Sequence, residues 1–147
     1  MNKSQAFSIY GLIASVLVVT SVLALITTQQ TIPGTGVLQT VGVEVYGDKQ
    51  CTNATSSINV GLVTPGSSKS FTLYLKNVGN SILTLNMTSK NWSPSTASNY
   101  MTFTWNREGQ EINPNQVISF VITLSVSSSV QGINSFSFEL VVTGTAD

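Results

Sequence analysis

The sequence contains no histidine and has one cysteine, Cys51. Histidine is the commonest general base, the usual activator of a nucleophilic serine or cysteine, and the commonest metal ligand. Its absence removes the ligand sets of the familiar zinc, copper and haem sites. One cysteine cannot form an internal disulfide, so we expect Cys51 to be an idle thiol. We therefore expect a protein that is not an enzyme, with no catalytic residue, no metal and no cofactor.

Charged residues are also scarce. They make up 8% of the 147 residues, six basic and six acidic, against about 25% in typical soluble proteins. No basic stripe is present, so the electrostatic footprint of nucleic-acid binding is missing. A weakly charged surface lets copies of the chain approach one another at little electrostatic cost.

One long uncharged apolar run stands near the N-terminus, from Ala6 to Ile26. As a helix it would reach about 31 Å, close to the hydrocarbon thickness of a bilayer. Lys3 precedes the run, and no lysine or arginine follows it until Lys49. The positive-inside rule then predicts that residues 1–5 are cytoplasmic, residues 6–26 form a transmembrane helix, and the chain from residue 27 onward lies outside the cell.

Three fates of this helix stay open. An uncleaved signal anchor is favoured by the length of the run and by the bulky residues at 25–28, where a signal peptidase needs small ones. A cleaved secretory signal is the second. The third rests on residues 3–6 (KSQA), which resemble the processing motif of archaeal type IV pilins. That resemblance implies cleavage after Ser4 and a retained helix in a filament core.

Residues 27–36 (TTQQTIPGTG) are polar, with Pro33 and two glycines, and we expect a flexible stem. Beyond it, apolar residues alternate with polar ones in seven segments, the signature of half-buried strands. These segments are 37–45, 58–62, 71–76, 83–88, 101–105, 118–126 and 136–142. In the first segment Val37, Val41, Val43 and Val45 are expected to share one face, and in the second Ile58, Val60 and Leu62.

Turn-forming residues separate these segments, for example at 64–66 (TPG) and 113–115 (NPN). Seven one-sided strands within residues 37–147 predict an all-β fold, an antiparallel immunoglobulin-like β-sandwich preceded by the single transmembrane helix. The first strand, residues 37–46, is expected to pair within its own domain, and donation to a neighbouring copy is the alternative.

Two stretches carry a resemblance. Residues 60–68 (VGLVTPGSS) and 71–80 (FTLYLKNVGN) resemble a pattern in immunoglobulin-like modules of prokaryotic surface proteins. With the N-terminal helix, the layout is similar to that of small archaeal surface proteins with one membrane helix and one such module. The resemblance implies a location on the cell surface.

Three Asn-x-Ser/Thr sequences lie on the predicted external part and mark candidate glycosylation sites at Asn53, Asn86 and Asn91. Trp92 and Tyr100 bound the longest loop and are candidate contacts for a sugar or a protein, with packing over one end of the sandwich as the alternative. The acidic pair Glu108 and Glu111 is expected to be solvated at a hairpin tip. Glu44 and Asp48 lack the dense spacing of a calcium loop.

These features predict a non-enzymatic, membrane-anchored cell-surface protein, a structural or interaction subunit of a surface assembly. Its expected partners are the membrane, through residues 6–26, and other surface proteins, copies of itself or glycans, but not nucleic acid. The alternatives are a pilin-like filament subunit cleaved after Ser4, and an accessory or ligand-binding subunit of a membrane complex.

Overall fold

The computed structural model describes residues 30–146. The predicted cytoplasmic segment, the predicted transmembrane helix and the first residues of the predicted stem lie outside this range. Within it, no helix has the length and apolar character needed to cross a membrane.

The described chain is built from nine strands and one turn of 3₁₀ helix at Ser95–Asn99. The strands are β1 (Ile32–Val41), β2 (Val43–Tyr46), β3 (Ser57–Val63), β4 (Ser68–Asn77), β5 (Leu83–Ser93), β6 (Met101–Trp105), β7 (Glu111–Ile112), β8 (Val117–Val126) and β9 (Phe136–Thr145). They form a five-stranded sheet in the order β3-β1-β9-β5-β7 and a four-stranded sheet in the order β2-β4-β8-β6. The all-β prediction is confirmed. All strand pairs are antiparallel except β1 and β9, which run parallel.

The core lies between the two sheets and follows the predicted alternation in the later strands. In β8 the side chains of Phe120, Ile122 and Leu124 are fully buried, and in β9 the inward residues Phe138 and Leu140 alternate with more exposed ones. Aromatic rings join the sheets, since Phe103 of β6 lies 4.5 Å from Phe138 of β9, measured between ring centroids. A period of two thus places one apolar row of each strand in the shared core.

The prediction that the valines of the first strand share one face is wrong. This segment is two strands that belong to different sheets, β1 in the five-stranded sheet and β2 in the four-stranded one. Gly42 separates them with φ of +75°, and a side chain there would meet the Gly144 carbonyl oxygen at 2.6 Å. The chain therefore turns at Gly42, so that Val43 and Val45 are buried while Val37 and Val41 are 52% and 54% exposed.

The second predicted strand was correct for Ile58 and Val60 but wrong for Leu62. Leu62 is 62% exposed, and Val63 is buried in its place. The pairing of β1 with β3 is irregular here, since Gly34 faces Gly61 while Thr35 faces Asn59, which leaves Val60 as an extra residue. Such a bulge shifts every later side chain to the opposite face.

The stem prediction also differs from the structure, because β1 begins at Ile32 and includes residues 32–36. β1 is an interior strand of its sheet, between β3 and β9, and so pairs within its own domain. Its glycines are sites of close packing. A Cβ on Gly34 would lie 2.2 Å from the Phe136 ring, and one on Gly36 would lie 2.1 Å from the Phe138 ring. The two rings fill the space that side chains of β1 would otherwise take.

Among residues 30–146 one polar side chain is fully buried, that of Asn77 at the end of β4. Its amide nitrogen donates to the carbonyl oxygens of Ser81 at 2.7 Å and Ile112 at 3.1 Å, and its Oδ1 accepts from the Gly79 amide at 2.9 Å. The two N–H donors and the oxygen acceptor of this side chain therefore all have hydrogen-bond partners, as burial requires. Asn77 thereby fixes the turn that follows β4 and joins it to β7.

We expect Gly36→Ala to lower the free energy of unfolding by about 1–3 kcal/mol, because the new methyl group must displace the Phe138 ring from a packed aromatic cluster. Urea unfolding followed by tryptophan fluorescence measures this change. The exposed neighbour Val37→Ala serves as a control and should change stability by less than about 0.5 kcal/mol. In the double variant with Phe138→Leu the cost of Gly36→Ala should shrink. An equal cost in both backgrounds would contradict the proposed contact.

Candidate functional site: the outer face of the five-stranded sheet

The outer face of the five-stranded sheet is formed by the outward residues of β1, β9 and β5. On β1 these include Thr35, Val37 and Val41, which are all exposed. Val37 pairs with Glu139, and Val41 pairs with Thr143. The face thus combines exposed valines with uncharged hydroxyl side chains.

A shallow groove runs along this face beside the last residues of β5. It consists of two depressions, of about 380 Å³ and about 300 Å³, that share Thr35 and Ser137. The lining hydroxyl and amide groups belong to Thr35, Ser93, Ser135, Ser137 and Asn91, and Glu139 supplies one carboxylate. Such a lining offers hydrogen bonds to a polar ligand. The carboxylate of Glu139 is the one titratable group in this lining.

Glu139 is the charged centre of this groove, and its side chain is only 13% exposed. Oε1 lies 3.0 Å from the Lys90 ammonium, and Oε2 accepts from the Asn91 amide nitrogen at 2.6 Å. Oε1 has no other hydrogen-bond partner among residues 30–146. The hydrogen bonds from Lys90 and then Asn91 hold the pKa of Glu139 below its ordinary value. The carboxylate is thus ionised and neutralised locally, so the face presents little net charge.

A second carboxylate, Glu108, is held at the other end of β5. It accepts hydrogen bonds from the Asn86 amide nitrogen at 2.7 Å, from the Met87 backbone amide at 3.3 Å and from the Trp105 indole nitrogen at 2.5 Å. Glu111, expected beside it, makes no side-chain hydrogen bond to the described residues. Glu108 therefore ties the turn after β6 to β5 through these hydrogen bonds. The sequence predicts only a solvated turn residue at this position.

The remaining acidic candidates are Glu44, which lies in β2, and Asp48, which lies in the loop between β2 and β3. Asp48 accepts from the backbone amides of Thr52 at 3.1 Å and Asn53 at 2.6 Å, and the Thr52 amide is the main cause of its lowered pKa. Glu44 instead accepts from the Tyr46 hydroxyl, and this hydrogen bond is the main cause that raises the pKa of Tyr46 to about 12. No group of three or more potential metal ligands occurs within residues 30–146.

The two aromatic candidates, Trp92 and Tyr100, pack against the core. Trp92 is half-buried, and its ring lies 5.6 Å from that of Phe138 and 5.7 Å from that of Phe103, measured between centroids. Tyr100 is also half-buried and packs against the core. This packing accounts for both side chains, and their role as contacts for a sugar or a protein stays a prediction.

The three candidate glycosylation sites lie in different surroundings. Asn86 and Asn91 belong to β5, and each donates its amide nitrogen to a carboxylate, Glu108 and Glu139 respectively. Asn53 lies in the loop between β2 and β3 and is exposed. The sequence patterns alone did not separate these sites, because the two carboxylates are 22 and 48 residues away along the chain.

No protein-family model matches the sequence, and no curated protein is significantly similar to it.

We expect Glu108→Ala to destabilise the protein by about 1 kcal/mol, because three donors lose a charged acceptor at an exposed site. Glu111→Ala is the matched control, with an expected change within about 0.5 kcal/mol. Equilibrium unfolding in urea compares the two. Equal effects would show that the hydrogen bonds of Glu108 do not contribute to stability.

The lowered pKa of Glu139 predicts a loss of stability in acid. Its contribution is fully present above the ordinary glutamate pKa of about 4.3 and is lost as the pH falls through the lower folded-state value. Melting temperatures measured from pH 7 to pH 2 should therefore fall less steeply for Glu139→Gln than for the unsubstituted protein. Glu111→Gln is the comparison, because it removes an exposed carboxylate that makes no side-chain hydrogen bond to the described residues. A Glu139→Gln slope equal to that of the unsubstituted protein would contradict this assignment.

Proposed function

We propose that this is a non-enzymatic, membrane-anchored surface protein whose external domain works by contact with other surface proteins or with copies of itself. The observation that carries the proposal is the outer face of the five-stranded sheet, where Val37 and Val41 are more than half exposed. Isolated exposed valines are ordinary. Here they share one strand, and their partners on β9 are Glu139, whose charge is paired with that of Lys90, and the uncharged Thr143.

The electrostatics of this face support a contact role. Lys90 and Glu139 neutralise each other across β5 and β9, and the neighbouring pairs join Val41 to Thr143 and Thr143 to Asn86. A partner that covers this face would need to desolvate few unpaired charges, and such charges oppose association most strongly. The near-neutral sequence adds little repulsion between copies.

The immunoglobulin-like assignment is part of the same proposal. It is supported by the two sheets around one core and by the chain's passage from one sheet to the other after every strand from β1 to β8. The parallel pairing of β1 with β9, the first and last described strands, departs from a purely antiparallel arrangement.

The location is supported by residues 6–26 and by the charge asymmetry around them. Protease treatment of intact cells, followed by intact mass measurement of the native protein, tests it. We expect digestion of the domain in intact cells and an uncleaved N-terminus. Loss of residues 1–4 together with recovery in sheared filaments would favour the pilin-like subunit. Loss of about the first 27 residues would end the anchor model, and protection from protease would contradict the external location.

Charge insertion tests the contact face. Val41→Lys should weaken association with partner or self at least about tenfold, because an unpaired ammonium would be buried in the contact. Thr72→Lys is the control, since Thr72 is exposed on β4 of the other sheet and adds the same charge. Chemical crosslinking on intact cells and sedimentation of the purified protein measure the outcome. Equal crosslinking of the two variants would exclude this face as the contact.

A further inference from the structure

Attaching a glycan to asparagine replaces one hydrogen of the side-chain amide nitrogen, so the surroundings of that nitrogen matter. At Asn86 it donates to Glu108 at 2.7 Å, and the backbone amide of the next residue, Met87, donates to the same carboxylate. The other edge of β5 is paired here with β9, where Asn86 faces Thr143. A sugar on Asn86 would replace a hydrogen of a side-chain amide that is already bonded to Glu108.

The Asn91 amide nitrogen is similarly engaged. It donates to Glu139 at 2.6 Å, and Glu139 is only 13% exposed. The backbone at Asn91 has φ of +52°, and Ser93, which completes its acceptor sequence, pairs with Ser137 in the sheet. Both the amide and the hydroxyl residue are thus fixed by the fold.

Asn53 differs in the hydrogen bonding of its side chain. All three asparagines are exposed, but the Asn53 side chain makes no hydrogen bond to residues 30–146, and its amide nitrogen lies over Gly47, which has no side chain to crowd it. The backbone is held in place by the bond from its own amide to Asp48 and by the bond from the Gly47 amide to its carbonyl. Thr55, the acceptor hydroxyl residue, hydrogen bonds to the Asn53 carbonyl at 3.4 Å.

We infer that Asn53 is the glycosylated residue of this protein and that Asn86 and Asn91 are not modified. The donor would be an oligosaccharide on a polyprenyl phosphate or pyrophosphate. The Asn53 nitrogen attacks C1 of the sugar, the bond from C1 to the phosphate oxygen breaks, the lipid phosphate leaves, and the nitrogen loses one proton to a base of the transferase. The inference rests on the proposed external location, because such transfer occurs on the outer side of the membrane.

Glycopeptide mass spectrometry on the full chain, purified from its native cells, tests the assignment. We expect a glycan on the peptide that contains Asn53 and unmodified Asn86 and Asn91. Thr55→Ala should abolish the modification, and Thr55→Ser should retain it. Thr88→Ala and Ser93→Ala remove the other two acceptor sequences without touching the hydrogen-bonded asparagines, so neither should change the glycan.

A glycan on Asn86 or Asn91, or an unmodified Asn53 in protein that protease reaches on intact cells, would overturn the inference while leaving the proposed location in place. Protein that protease does not reach, with Asn53 unmodified, would overturn both.

Discussion

The packing of two phenylalanine rings against two glycines is the constraint on which the five-stranded sheet depends. Phe136 and Phe138 of β9 occupy the space above Gly34 and Gly36 of β1, where a Cβ would approach within 2.2 Å and 2.1 Å. The two strands run parallel, so each ring lies beside the glycine with which its residue pairs. β1 therefore contributes backbone hydrogen bonds at these positions, while β9 contributes the apolar volume. Trp92 and Phe103 pack against the same rings and extend the cluster to the four-stranded sheet.

This arrangement determines what the outer face displays. Because the glycines face inward, the residues that alternate with them along β1 face outward, and these include Val37. The turn at Gly42 then moves the chain to the other sheet, so that the next valines, Val43 and Val45, enter the core. Two valines are thereby left on the surface by the geometry of one strand. Their exposure follows from close packing on the opposite side of that strand.

The parts of the fold that the sequence predicted correctly are those where local alternation decides burial. β8 and β9 have uninterrupted periods of two, and their inward residues lie in the core as expected. The prediction of a single first strand is wrong because the alternating valines continue across Gly42, and composition does not reveal that the chain changes sheets there. The stem prediction treats its glycines as flexible, whereas their role is set by aromatic residues about 100 positions later. Leu62 was misplaced because a bulge has no signature in the alternation itself.

The candidate site also depends on contacts between segments that are far apart in the sequence. Acceptor sequences for glycosylation are local, so Asn53, Asn86 and Asn91 were equivalent candidates. The carboxylates that engage two of them come from distant segments, and only the pairing of β5 with its neighbours brings them together. β5 thus has its polar groups committed to structure at both ends. The loop between β2 and β3 differs because its own Asp48 fixes the backbone, while the Asn53 side chain makes no hydrogen bond to residues 30–146. A glycan at Asn53 would stand on the loop that follows the edge strand β2. It would add solubility to a chain with few charges.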